Sequence, residues 1–293
     1  MTMSVHHQNI YSCNFYGNAS VKCTGSKTQN DKKMKRKQLF LTGILLMAVA
    51  MMSTSCARQM RMLEIGDSKI VSESRPLNGF EKIEINGSPN VYYTQADSFS
   101  VKVRCSENGQ ENILTDVNDG TLFIRNRGKV GILNVVINDE DQAEIFVTSP
   151  DLVSVRLNGS GDFKSEKRVD SDMMEIMLRG SGDIDFTDLI CDDCHVDLIG
   201  SGNIDIHRLE AKETDASLIG SGDINLELWR VVSTRLGLKG SGDIDVTFNE
   251  GCQAVDCELR GSGDIELSGV VSRFSQQKSG SGDVNVDKLR MVK

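Results

Sequence analysis

Apolar and polar residues alternate with a period of two along most of the chain after Pro76. The runs begin with Phe80–Ile85, Val91–Thr94 and Phe99–Val103, and Gly, Asn or Asp residues separate them. Further runs follow at 121–125, 133–137 and 144–147. Period-two alternation between turn residues is typical of half-buried β-strands. No window has the period of an amphipathic helix, so the pattern predicts an all-β fold.

From Pro150 onward one tetrapeptide recurs, Gly-Ser-Gly-Asp, with Asn in place of Asp in one copy. Its copies begin at Gly159, Gly180, Gly200, Gly220, Gly240, Gly261 and Gly280, at spacings of 21, 20, 20, 20, 21 and 19 residues. Alternating residues stand on both sides of each copy. One unit therefore consists of a strand, a tight turn, a second strand and a second corner. A fixed period near 20 indicates supersecondary units that stack on their neighbours.

Two arrangements of these units are compatible with the pattern. Consecutive strands could form a meander of hairpins, or each unit could be one coil of a solenoid. A solenoid stacks equivalent residues in register at about 4.8 Å, which favours the same residue type at every equivalent position. A meander does not require the same turn at every second corner. We therefore predict a single-stranded parallel β-helix, or β-solenoid, with coils of about 20 residues.

Composition narrows the class of protein further. The chain contains 27 glycines, and fourteen of them belong to the seven tetrapeptides. Because the glycine is periodic, but not at every third residue, a disordered linker and collagen are excluded. The net charge of −9 argues against a general nucleic-acid binder, which needs a basic face.

The tetrapeptide has two interpretations. Glycine permits positive φ, and the following Asp or Asn can accept hydrogen bonds from backbone amides in an Asx turn, so under the first interpretation the repeat is turn chemistry alone. Alternatively, stacked carboxylates could bind calcium between coils, at a ladder formed by Asp183, Asp223, Asp243, Asp264 and Asp283. Asn203 interrupts this ladder, which favours the turn interpretation. A second acidic column, comprising Asp185, Asp205, Asp245 and Glu266, is expected to face solvent.

Catalytic and redox motifs receive little support. The aspartates are distributed evenly, one per coil, and no Ser-His-Asp or metal-ligand spacing occurs. No catalytic residue and no resident metal are therefore assigned. Cys191 and Cys194 form an isolated CxxC pair. The repeat places Cys194 and Cys257 in core columns, so buried, unreactive thiols are the favoured interpretation.

An export signal lies between residues 34 and 56. Basic residues 35–37 precede an apolar run from Leu39 to Met52, and small residues then lead to Cys56. This pattern resembles a bacterial lipoprotein signal peptide, which implies lipid attachment, including palmitate, at Cys56. Residues 1–33 are interpreted as a spurious upstream extension. Residues 1–55 hold seven basic residues and one acidic residue, so 26 basic and 41 acidic residues remain after them.

Three segments of the remaining chain resemble one family in order. They are Phe80–Gln95, Asn112–Ile124 and Pro150–Asp162, the last ending in the first Gly-Ser-Gly-Asp. They resemble the family named putative auto-transporter adhesin, head GIN domain, and the likeness covers roughly residues 76–293. The resemblance implies an exported lipoprotein of the Bacteroidetes, similar to β-helices, and brings no catalytic residues.

These observations predict four segments: the extension 1–33, a signal peptide 34–55, a tether 56–75 and a β-helix 76–293. Within the last, residues 76–150 are expected to form irregular coils and residues 151–293 regular ones. The predicted function is non-catalytic binding in the cell envelope. The partners would be glycans or envelope proteins, with the membrane, most simply the outer membrane, reached through the lipid. Two alternatives stay open: a polysaccharide lyase or hydrolase on the same fold, and a structural envelope protein with calcium-stabilised turns.

Overall fold

The computed structural model describes residues 69–127 and 143–292, which form nineteen strands and one short 3-10 turn, Gln110–Asn112. The strands are β1 (Ile70–Arg75), β2 (Lys82–Gly87), β3 (Asn90–Gln95), β4 (Ser100–Ser106), β5 (Ile113–Asn118), β6 (Thr121–Asn126), β7 (Glu144–Ser149), β8 (Ser154–Gly159), β9 (Phe163–Asp170), β10 (Met173–Gly180), β11 (Asp183–Ile190), β12 (Asp193–Gly200), β13 (Asn203–Glu210), β14 (Glu213–Gly220), β15 (Asp223–Trp229), β16 (Val231–Gly240), β17 (Asp243–Gly261), β18 (Ile265–Gly280) and β19 (Val284–Met291).

Each strand from β8 to β15 pairs with its equivalents one coil away and not with its neighbours in sequence. β10 pairs in parallel with β12, and every residue lies opposite its repeat equivalent, as Gly180 does opposite Gly200. β11 pairs with β13 in the same manner. The chain is therefore a β-solenoid, as predicted, with about seven regular turns, and the alternative of a hairpin meander is wrong.

Two parallel ladders result. Ladder A contains β6, β2, β8, β10, β12, β14, β16 and the C-terminal parts of β17 and β18. Ladder B contains β7, β3, β9, β11, β13, β15, the N-terminal parts of β17 and β18, and β19. The tetrapeptide joins a ladder A strand to the next ladder B strand, and the second corner returns the chain to ladder A.

The core lies between the ladders and is built of columns of identical or similar side chains. Ile184, Ile204, Ile224, Ile244 and Ile265 form one such column, and none of them is exposed. Alternation along each strand sends the residues between them outward, which explains the period of two in the sequence. Because every coil repeats the same inward positions, one apolar pattern suffices for the whole stack.

The coil formed by β2 and β3 lies out of chain order. β2 pairs with β6 on one side and β8 on the other, and β3 lies between β7 and β9. Antiparallel strands cover the outer side of the β6–β7 coil: β5 on β6, β4 on β7 and β1 on β4. β1 covers the last residues of the segment predicted as a tether. The strand predicted at 133–137 lies outside the described residues.

Candidate functional site

Both glycines of the tetrapeptide bring the backbones of adjacent coils close together. The first glycine has positive φ in every copy, for example +140° at Gly180 and +146° at Gly200. A Cβ atom on Gly202, a second glycine, would lie 1.9 Å from the carbonyl oxygen of Gly182. Sequence reasoning predicted the need for positive φ, but it missed this close approach, which is a property of the stack.

The aspartates of the tetrapeptide form a ladder of hydrogen bonds between coils. Oδ1 of Asp183 accepts a hydrogen bond from the backbone amide of Asn203 at 2.9 Å and another from the side-chain amide of the same residue at 3.1 Å. The same bond joins Asp243 to the amide of Asp264 at 2.8 Å, and Asp264 to the amide of Asp283 at 2.7 Å. The Asx turn inferred from sequence keeps the bond within its own turn, whereas these bonds link one coil to the next.

The five residues named as a calcium ladder, Asp183, Asp223, Asp243, Asp264 and Asp283, stand in one exposed column at this corner. Four of them already accept an amide from the following coil, and Asp283 pairs with Lys278. Within the described residues, no group of three or more His, Cys, Asp or Glu side chains is arranged to hold a metal ion. Calcium binding therefore stays a prediction that needs its own measurement.

The second acidic column runs along the outer face of ladder B. Asp185 lies 3.7 Å from Nζ of Lys164 and 3.4 Å from Nε2 of His207. Further along, partial burial, followed by repulsion from Glu266, raises the pKa of Asp245. The column faces outward, but its carboxylates are partly covered by one another and by their neighbours.

The cysteines of the described residues are buried and form no disulfide. Cys194 lies in the column of Met174, and Cys257 in that of Leu236, as the repeat predicted. A hydrogen bond with Cys191, together with burial, raises the pKa of the Cys194 thiol, and burial raises that of Cys257 to about 12. Because the thiolate is the reactive form, these raised pKa values favour structural thiols.

A charge ladder lines the corner that follows ladder B. Asp188 contacts Arg168 at 2.8 Å, and Arg230 contacts Glu210 at 2.8 Å and Glu250 at 3.3 Å. The guanidinium carbon of Arg208 lies 4.5 Å from the ring centre of Trp229. Successive coils are thus cross-linked by ion pairs on their surface.

A groove of about 790 Å³ lies on the outside of ladder A. It follows the first residues of the ladder A strands, so that each coil contributes equivalent positions. One column of outward side chains forms its length: Glu175, His195, Asp215, Arg235 and Asp256. Sequence reasoning missed this groove, although the column can be recovered by listing residues at the repeat spacing.

The groove is acidic but contains both signs of charge. Its acidic residues are Glu81, Asp151, Asp172, Glu175, Asp193, Glu213, Asp215 and Asp256, against the basic residues Lys82 and Arg235 and the imidazole of His195.

Several of these groups contact neighbouring side chains. Arg235 donates to Asp215 at 3.1 Å, and Nε2 of His195 lies 3.1 Å from Oδ2 of Asp197. Partial burial tends to raise the pKa of Glu175, but hydrogen bonds from Arg156 and Ser154 outweigh this and lower it. The groove thus presents charged donors and acceptors that contact one another at the surface.

Cys56, the predicted lipid attachment site, and the predicted signal peptide lie outside the described residues. Over the part of the chain that the structure describes, no helix is long and apolar enough to cross a membrane.

The stacked coils, the tetrapeptide turns and the closed N-terminal end define a repeat protein of the β-solenoid class. The model of the family described as putative auto-transporter adhesin, head GIN domain, matches residues 79–255 and 233–293. The chain belongs to this family, and the resemblance drawn from its motifs is confirmed. A comparison with curated proteins finds no match.

Solved structures share the fold. A putative adhesin from Bacteroides fragilis is 24% identical, with a TM-score of 0.63, over 76% of this chain and 97% of its own. A putative lipid binding protein from Parabacteroides distasonis is 20% identical, with a TM-score of 0.57, over 78% of this chain and 98% of its own. A putative adhesin from Parabacteroides merdae is 18% identical, with a TM-score of 0.55, over 78% of this chain and 98% of its own. At these identities the likeness establishes the fold alone.

Proposed function

We propose that this chain is a non-catalytic binding protein of the bacterial cell envelope, in which a rigid β-solenoid presents a groove to extended ligands. The family is named for adhesion, and adhesins act outside the cytoplasm. Two of the similar structures carry the name adhesin as well. An exported, adhesin-like role is consistent with the lipoprotein signal pattern that ends at Cys56.

The groove on ladder A is the single observation that carries this proposal. Its column from Glu175 to Asp256 crosses five coils, which corresponds to about 19 Å between the outermost strands. An elongated surface of this kind fits several units of a polymer, as the concave faces of other solenoids do. In the free protein Arg235 pairs with Asp215 and His195 contacts Asp197, so a ligand meets charged groups that already have partners.

The chemistry of the groove favours glycans that are neutral or carry amino groups. Carboxylates accept hydrogen bonds from sugar hydroxyls, and Arg235 and His195 can donate to ring or hydroxyl oxygens. Eight acidic side chains against two permanent cations disfavour polyanionic glycans and nucleic acids. Envelope proteins that present a basic extended segment would meet the same surface.

The predicted lipid at Cys56 would attach this surface to a membrane, most simply the outer membrane. Binding then acts between an anchored solenoid and a ligand in the envelope or outside the cell. Globomycin treatment of expressing cells tests this part separately: retention of the signal peptide would support lipidation, and unchanged processing would contradict it.

Probing arrays of neutral, amino-containing and acidic glycans with the detergent-solubilised full chain tests the binding role. The proposal predicts binding to neutral or amino-containing glycans and weak binding to acidic ones. A blank array, together with no binding to envelope proteins from the same bacteria, would contradict it. Release of oligosaccharides from a bound glycan would instead support the alternative of a lyase or hydrolase.

A further inference from the structure

The two ends of the solenoid differ in how their strand edges are covered. At the N-terminal end, antiparallel β4 and β5 cover the outermost parallel strands. At the opposite end of ladder B, β19 is the outermost of the described strands. Its inward positions, Val284, Val286, Leu289 and Met291, belong to columns that earlier coils bury, yet Met291 is 56% exposed. An edge with apolar inward residues is a template for strand pairing.

The pattern along β19 is symmetric about the point between Asp287 and Lys288. The register of β19 against β18 shifts between Asn285 and Lys288, so that the extra residue lies at the centre of the strand. Consequently the inward residues, Val284, Val286, Leu289 and Met291, mirror one another across that point, while Asp287 and Lys288 are both exposed. A regular alternation over eight residues does not have this symmetry.

From this symmetry we infer that β19 pairs antiparallel with β19 of a second copy of this chain, about a two-fold axis at its centre. Val286 then lies opposite Leu289 of the second copy, and Val284 lies opposite Met291. Asp287 of each copy lies opposite Lys288 of the other. Two equivalent ion pairs, one on each side of the axis, result. Both copies carry the extra residue, and the pairing therefore needs no register shift. Such a contact is isologous and closes at two copies.

The ladder A side of the same end face supports this arrangement. Gln276 and Lys278 lie in the columns of Cys257 and Leu259, so polar residues replace buried ones. The ammonium group of Lys278 pairs with Asp283 at the turn, which holds its charge at the rim. Beside ladder A the end face is thus polar at Gln276 and Lys278, with Phe274 partly buried next to them, whereas beside ladder B it is apolar. A two-fold axis normal to the ladders places each side beside its own equivalent. This surface is separate from the groove on ladder A.

Cysteine cross-linking tests the pairing and its register together. Asn285 and Arg290 face outward and lie opposite each other across the axis. In the full chain, Asn285→Cys/Arg290→Cys should give a disulfide-linked dimer on a non-reducing gel. Neither single variant should do so, since equivalent residues of the two copies lie about 17 Å apart. Equal cross-linking of a single variant, or no dimer with the double variant, would overturn the inference.

Charge exchange provides an independent measurement. Sedimentation of the detergent-solubilised full chain should show a dimer, weakened about ten-fold by Asp287→Lys or by Lys288→Asp. The double exchange Asp287→Lys/Lys288→Asp should restore the affinity to near that of the unaltered chain. Lys288→Asp and the double exchange both lose the ion pair of Lys288 with Glu266. A difference in dimer affinity between these two variants therefore reports the contact between copies. A monomeric unaltered chain, or a double exchange as weak as the single ones, would contradict the pairing.

Discussion

A Cβ atom placed on Gly200 would lie 2.0 Å from the carbonyl oxygen of Gly180 in the preceding coil. The first glycines of the other tetrapeptides show the same approach, so no larger residue fits without separating the coils. Positive φ adds a second penalty for residues other than glycine. The glycine count of the sequence therefore reflects contact between coils as well as the turn within each coil.

Replacing Gly200 with alanine should destabilise the solenoid strongly. The added methyl group meets backbone atoms that cannot move aside, and the residue keeps a left-handed conformation, which together cost about 2–5 kcal/mol. Gly237→Ala is the matched control, because a Cβ at Gly237 has no neighbour within 4 Å. Thermal unfolding followed by circular dichroism should show a lower Tm for Gly200→Ala alone. Equal shifts for both variants would show that the stacking of the tetrapeptides is wrong.

The carboxylate of Asp183 should stabilise the stack through its acceptor oxygen. Asp183→Ala removes the partner of two amides of Asn203 and should lower stability by about 1–2 kcal/mol. Asp183→Asn keeps an acceptor oxygen of the kind that Asn90 presents to the backbone amide of Asp162 at 3.0 Å, and it should lower stability less than Asp183→Ala. Chemical denaturation of the three proteins gives the comparison. An asparagine variant as unstable as the alanine variant would indicate that charge is the essential property.

Chelation separates the amide ladder from a calcium ladder at the same corner. If the aspartates stabilise the stack only by accepting hydrogen bonds from amides, EDTA should leave the Tm unchanged, and added calcium should not raise it. A pronounced fall in Tm with EDTA, reversed by calcium and abolished in Asp243→Asn, would establish the calcium alternative. The same thermal scans used for Gly200 provide this measurement.

Asp245 should destabilise the native chain at neutral pH. Its pKa is raised from 3.8 by partial burial, then by repulsion from Glu266, Asp243 and Asp223, so the folded protein holds this proton more tightly than the unfolded one. The stability contribution of this group is therefore greatest below pH 3.8 and falls as pH rises through the raised pKa. Asp245→Asn should stabilise the protein at pH 7 by less than about 1 kcal/mol, because the site is largely solvated.

The increase in stability from Asp245→Asn should disappear as pH is lowered towards 3.8. Asp205→Asn is a suitable control in the same column. The Asp205 carboxylate accepts a hydrogen bond from Asn225 at 2.7 Å, so removing its charge should not increase the stability of the protein. Unfolding curves between pH 4 and pH 8 give the comparison. A stabilisation by Asp245→Asn that is independent of pH would contradict the electrostatic explanation.

Much of the fold was predictable because the solenoid repeats its own chemistry. The spacing of Gly180, Gly200 and Gly220 fixed the coil length, and the alternation on both sides of each turn fixed the inward columns. The out-of-order coil of β2 and β3 was not predictable, since strand order depends on long-range pairing that leaves no periodic signal. The groove was also missed: His195, Asp215 and Arg235 differ in chemistry and converge only through register.

The central claim is that ligands bind in the groove on ladder A, and charge reversal at two outward aspartates tests it directly. Isothermal titration of the full chain with a glycan captured on the array gives Kd for Asp215→Lys, in the groove, and Asp205→Lys, on ladder B. The claim predicts a Kd at least about ten-fold weaker for Asp215→Lys and nearly unchanged for Asp205→Lys. Equal affinities, or a larger loss for Asp205→Lys, would contradict it.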